Sequence, residues 1–157
     1  MSTVPIKPTD ILDYWYSDFM QKHWFASTPA LDELALVIVL DQFPLNMFRG
    51  KPESFRTERK AIDVTLNALK KGFDKQLSKD RLSFLFMPLM HSEKLEEQDL
   101  SVALFHRYGL TGNIKFAEHH REIVRMYGRF PHRNAILGRK SIPAEIEYLA
   151  SKDAFKG

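Results

Sequence analysis

An all-α fold, built as an antiparallel array of about 6–8 helices, is what this sequence predicts. Apolar residues recur at three- and four-residue spacing through most segments, and alternating strand patterns are scarce. The breaks between those segments carry helix-cap residues, prolines and glycines. The 157 residues are enough for one domain, 1–157, with a core of its own.

The elements follow in order. Thr9 or Asp10 caps a first helix through ILDYWYSDFMQKHWF (11–25), where Ile11, Leu12, Trp15, Phe19 and Met20 share a face. Ser27-Thr28-Pro29 breaks the chain and offers a second cap with proline in the first turn. ALDELALVIVLDQF (30–43) is apolar nearly all round between Leu34 and Leu40, which suits a central helix buried on most sides. A buried strand is its rival, because Val37, Ile38 and Val39 favour sheets; Asp32, Glu33 and the length of the run favour helix. Pro44 is expected to end it, since a proline there removes a donor and clashes with the preceding turn.

From about 53 to 71, Ala61, Ile62, Leu66 and Leu69 mark an amphipathic helix, stopped by Lys70-Lys71-Gly72. KDRLSFLF (79–86) begins another, which Pro88 is expected to interrupt or kink. A further helix spans about 92–108, with Gly109 as its C-terminal cap. Residues 113–127 form the clearest stripe, from Phe116 and Ala117 through His120, Ile123 and Val124 to Tyr127, closed by Gly128. A short last helix runs from about 143 to 150.

Composition excludes several classes. Without cysteine there is no disulfide, thiolate nucleophile or cysteine zinc site. MSTVPIKPTD has no apolar h-region, so no secretory signal is expected, and the 34–40 run is far short of the ~20 residues of a membrane span. A cytoplasmic protein without a membrane partner is the expectation. Charge is uneven: within 107–140, eight cations (Arg107, Lys115, Arg121, Arg125, Arg129, Arg133, Arg139, Lys140) face two acids (Glu118, Glu122) in a chain of net +3. Such a patch is either a solvated basic face or an anion-binding one. Helix-turn-helix and single-strand aromatic signatures are missing, so nucleic acid is not an expected partner.

Three helix-breaking corners collect the unusual side chains. They are LDQFPLNMFRG (40–50), FMPLMHSE (86–93) and GRFPHRNAILGR (128–139). Helix ends leave unpaired backbone groups, so polar corners of this kind can converge at one end of a bundle. These motifs, in this order, resemble the bacterial domain-of-unknown-function family 924. The resemblance runs from 11–15 to about 149, with further matches at Trp24-Phe25, Gln98, 101–105 and His120. It implies an all-helical, tetratricopeptide-repeat-like fold and no particular activity. Three departures stand out. Leu45 occupies a position where the family usually has arginine, and Ile142 one where it usually has threonine, leaving Ser141 to cap the last helix. Between Trp24-Phe25 and 34–40 roughly one helix is missing. Either a wall of any pocket is absent or another subunit of a homo-oligomer supplies it.

The candidate catalytic residues are His91, His132 and Glu93, an acid–base set in which Glu93 orients a histidine. The candidate ligand-binding residues are Asp41, Gln42, Asn46, Arg49, Ser92, Gln98, His120, Arg129, Arg133 and Asn134. Arg129 and Arg133 would clamp a small anion or a peptide-like ligand, with Asn46 and Asn134 orienting it. The competing reading of the same arginines is a buried network with Asp41 or Glu93 that ties the corners together. Ser92 suits a helix cap better than a nucleophile, because no G-x-S-x-G elbow is present. His120 suits a bond to a backbone carbonyl. No metal or cofactor is expected: His91, Glu93, His119, His120 and His132 lack ligand spacing, and adjacent histidines on a helix point ~100° apart. Two functions remain open, a ligand site with hydrolase or transferase chemistry, and a tetratricopeptide-like scaffold that binds a partner without chemistry.

Overall fold

The computed structural model describes Asp13 and residues 28–157, and among these every regular element is helical. The expected helix over 11–25, the Trp24-Phe25 match and the shortening after them lie outside the described residues, except for Asp13.

Helix α1, Pro29–Val37, starts where the Thr28-Pro29 pair places it: Thr28 is extended, and its hydroxyl accepts from the Leu31 amide at 3.4 Å. Ala30, Leu34 and Val37 are buried on one side, whereas Leu36 and Val39 are 44% and 51% exposed. The helix is therefore amphipathic, not buried on most sides. Pro44 does not stop the chain either. The helix widens over Ile38–Gln42 into a π turn, closed by the Phe43 amide on the Ile38 carbonyl, and α2 (Phe43–Met47) then carries Pro44 in its first turn. There a missing amide costs nothing, and the Leu40 carbonyl that residue 44 would have bonded accepts the Thr57 hydroxyl at 2.5 Å.

A short 3-10 turn, Pro52–Phe55, separates α2 from α3, Glu58–Lys70. The helix starts later than its apolar pattern suggests because Glu53 belongs to that turn. Gly72 closes the segment at φ 71°, in the left-handed region that glycine adopts without a Cβ clash. Helix α4, Lys79–His91, continues past Pro88 without interruption. In the turn below the proline, the Leu85 carbonyl accepts from the buried Thr65 hydroxyl at 2.9 Å. Helices α5 (Leu95–Arg107) and α6 (Thr111–Tyr127) follow through three-residue links, and α7 spans Pro143–Ala150. Gly128, at φ 68°, ends α6 with its amide on the Val124 carbonyl.

Helix α4 is central, contacting α1, α3, α5, α6 and the π turn. Its Leu82, Leu85, Phe86 and Leu89 are all at most 2% exposed, and Phe86 meets Phe105 of α5 edge-on at 6.0 Å. Each such side chain contributes roughly 1.5–3 kcal/mol through burial. A second, smaller cluster joins Ile123, Val124 and Phe130 to Tyr127, Tyr148 and Phe155. The end of α4 and the π turn adjoin the first cluster through Met90 and Ile38, and the chain that leaves α6 enters the second through Phe130. No described helix is long and apolar enough to cross a membrane.

Candidate functional site

The three polar corners do converge, but into two separate arrangements. One is a closed belt of ion pairs that holds the 128–145 stretch in place. Glu93 receives the Phe130 amide at 2.8 Å and both terminal nitrogens of Arg139 at 2.5 and 2.8 Å. Burial alone would raise the Glu93 carboxyl; the Arg139 fork and the Phe130 amide outweigh it and hold it below the usual range. Arg139 also donates to Asn134, whose amide bonds Ser141 at 3.1 Å and Glu145 at 3.0 Å. Glu145 takes the Arg129 fork at 2.6 and 2.8 Å and, from the third position of α7, the Ile142 amide at 2.9 Å. The Arg129 bonds chiefly hold its carboxyl low. Glu145 thus occupies the reaching-back position of a capping box, and the hydroxyl of Ser141 is spent on Asn134 instead of on α7.

The other arrangement is a cavity of about 530 Å³ lined by Gln42, Asn46, Arg49, His91, His120, His132 and Arg133, with Leu45, Met87 and Met90 among its apolar walls. His91, at the end of α4, bonds Asp41 of the π turn, Nδ1 to Oδ1 at 2.9 Å. Asp41 is 3% exposed, and its second oxygen accepts from Gln42 at 2.6 Å. A carboxylate on Nδ1 fixes that nitrogen as the donor and leaves Nε2 as a base. The widened turn matters here, since a π bulge re-aims side chains relative to a regular helix.

His120 shares the cavity and bonds the Phe116 carbonyl through Nδ1 at 2.7 Å, the satisfied arrangement its helical stripe suggests. Burial, ahead of any charge, pushes it down to about 4. His132 is also lowered to about 4, by burial first and then by Arg133, and its Nδ1 is buried without a hydrogen-bond partner. Both rings are neutral near pH 7. Arg133 lies between the Phe55 and Phe130 rings at 4.5 and 4.6 Å, donating to Glu58 and to the His91 carbonyl, each at 2.8 Å. Its Nε has no partner. Burial raises the Glu58 carboxyl against the opposing pull of Arg133.

The candidate residues therefore divide. Gln42, Asn46, Arg49, His91, His120, His132 and Arg133 line the cavity, and Asp41 stands behind His91. Glu93, Arg129 and Asn134 are engaged in the belt. The Ser92 hydroxyl accepts from the Lys94 amide and donates to the Glu97 carboxylate at the start of α5, so its bonds are those of a cap and not of a nucleophile on a histidine. Gln98 is fully buried and donates to the carbonyls of Met90 and Ser92, holding the end of α4. The arrangement thus differs from the expected one: Asp41, not Glu93, orients a histidine, and Arg129 does not join Arg133 in a clamp. Among the described residues no group of three or more histidines and carboxylates is placed to hold a metal ion.

Sequence reasoning left out Glu145, Glu58 and Phe155. Glu145 carried a signal, an acid two residues after a proline at a helix start. Nothing local marked Glu58 or Phe155.

The basic stretch 107–140 is largely neutralised in space. Arg121 meets Asp99 at 3.8 Å and Arg125 meets Glu122 at 2.6 Å, while Arg129, Arg133 and Arg139 each pair with an acid as above.

Residues 20–153 match the model of a family described as bacterial protein of unknown function (DUF924). The chain is also similar to a solved structure, a protein of unknown function from Agrobacterium tumefaciens, at 34% identity and a TM-score of 0.73. The likeness covers 90% of this chain and 80% of that one. A comparison with curated proteins gives no match.

Proposed function

Because the chain belongs to the bacterial DUF924 family, whose common fold sets no chemistry by itself, we propose a function from the cavity: it binds a small anionic or peptide-like molecule and supports hydrolysis or group transfer on it. The observation that carries this reading is the Asp41–His91 pair opening onto a cavity whose other polar groups include Arg49, Asn46 and His132. His91 Nε2 would take a proton from water or from a ligand hydroxyl, and Asp41 would stabilise the imidazolium that results. Arg49 is exposed at the cavity wall and offers a fork for a carboxylate or phosphate. Arg133 adds fixed positive charge, but two of its nitrogens are committed to Glu58 and His91.

The test is a thermal-shift screen with phosphorylated metabolites, carboxylates and nucleotides. A bound ligand at a hundred times its Kd stabilises by about 2.7 kcal/mol. At ~2–4 °C per kcal/mol for a chain of this size, the shift is easily read. The response should vanish in Arg49→Ala. In His91→Ala it should persist while turnover of the same ligand is lost. A folded protein indifferent to every small anion, yet retaining a peptide partner, would replace this reading with the scaffold one.

A further inference from the structure

The cavity is not empty of protein. After α7 the chain returns to it: the Phe155 amide donates to the Tyr148 hydroxyl at 2.8 Å, and Phe155, Lys156 and Gly157 join the lining. The Phe155 ring meets His120 at 4.4 Å and His132 at 4.9 Å, both edge-on, and packs against the cluster of Ile123, Val124 and Phe130. The contact at Gly157 is close as well, since a Cβ built there would lie 3.3 Å from the His132 ring.

We infer that the slot between His120 and His132 is a subsite for an aromatic side chain of an extended peptide, and that Phe155 is its internal occupant, a strap that a ligand must displace. The inference rests on the reading of the cavity as a ligand site and narrows it to peptides bearing an aromatic residue. The chemistry of the slot fits such a group. Two uncharged imidazoles, both backed by the Phe130 ring, offer edges and faces to a phenyl ring, where a charged pair would favour an anion. Among the described residues, the bond from the Phe155 amide to the Tyr148 hydroxyl is the one hydrogen bond that anchors Phe155, and a single such bond adds only about 0.5–1.5 kcal/mol to the ring contacts.

The experiment uses the full chain and a synthetic peptide, Ser-Lys-Asp-Ala-Phe-Lys-Gly, followed by NMR of the His120 and His132 ring resonances. An intramolecular occupant lowers the apparent affinity of a competitor by the fraction of open molecules. A strap closed nine-tenths of the time therefore makes Phe155→Ala bind about tenfold more tightly than the parent. Saturable shifts in Phe155→Ala, much weaker in the parent and absent with a peptide carrying alanine for phenylalanine, are the expected result. Tyr148→Phe removes only the anchoring hydroxyl, leaves the slot whole, and should give an intermediate gain even if Phe155→Ala folds poorly. Identical titrations for parent and Tyr148→Phe, or no saturable shift in a folded Phe155→Ala, overturn the inference. If anions still stabilise the protein in that event, the cavity remains a ligand site and only the strap is wrong. If peptide binds and anions do not, the aromatic subsite stands and the anion reading falls.

Discussion

Glu93 and His91 stand two residues apart where α4 ends, yet they serve opposite arrangements. Glu93 belongs to a belt in which Arg129, Arg139, Asn134 and Glu145 are each bonded to others of the set or to nearby backbone. His91 belongs to a cavity where His132 Nδ1 and Arg133 Nε are buried without partners. A buried polar atom left unpaired costs about 1–3 kcal/mol. Asp74 Oδ1, Gln98 Oε1 and Ser101 Oγ are unpaired as well, so what sets His132 and Arg133 apart is that both line this open cavity. The contrast separates residues that hold the fold from residues available to a ligand. Composition cannot do this, because both sets consist of arginines, histidines and asparagines.

The largest expected effect tests the belt. Glu145→Ala strips a 1%-exposed carboxylate from Arg129, Asn134 and the Ile142 amide at once. It should cost about 3 kcal/mol, seen as a lower urea midpoint with an unchanged slope. A loss below about 0.5 kcal/mol would place Glu145 among ordinary surface residues and dissolve the contrast. Arg133→Ala comes next, at about 2–3 kcal/mol, because it strands Glu58 and opens the space between Phe55 and Phe130. Arg133 lines the cavity and also ties Glu58 of α3 to the end of α4, so this variant should lose stability and ligand response together.

Acid titration separates the two regions by pH. The unfolded chain protonates His120 and His132 near 6.5, whereas the folded protein keeps both neutral down to about 4. Between those values the unfolded state binds more protons, so stability falls as the pH drops through this window. The carboxyls of Glu93 and Glu145 act lower. They sit below 4.5 in the folded state, so their contribution is full above 4.5 and is lost as the pH falls through their folded values. Thermal midpoints taken from pH 7 to 3 should show both phases, and His120→Gln with His132→Gln should flatten the first alone. The smallest effect belongs to the cavity rim. Asn46 and Arg49 are exposed, so their alanine variants should change stability by about 0.5 kcal/mol or less while altering ligand response. A large loss of stability from Arg49→Ala would mean that the rim, too, is structural.

The segment GRFPHRN shows how far local reading reaches. Its glycine cap and buried phenylalanine follow from sequence, because Gly128 closes a helix whose apolar stripe points inward. The fates of its polar members do not. Arg129 and Asn134 turn to α7, Arg133 turns to α3, and His132 turns to the cavity. The two prolines teach the complementary lesson. Pro44 and Pro88 read as breaks from sequence, yet Thr57 and Thr65 supply hydroxyls to carbonyls in the turns they disturb. Both threonines come from or beside α3, a neighbour that the local pattern could not supply.

By itself the sequence determined most of the helices and their caps at Thr28, Gly72 and Gly128, but not the π turn, α2 or the exposed face of α1. Those helices and caps depend on bonds and contacts three to five residues apart, which local order already contains. Only the tertiary structure decided which charge met which. Arg133 finds Glu58 across 75 residues, His91 finds Asp41 across 50, and Arg139 finds Glu93 across 46. Coulomb attraction and hydrogen bonding act over a few ångströms and are indifferent to sequence separation, so the packing of α3, α4 and α6 had to come first.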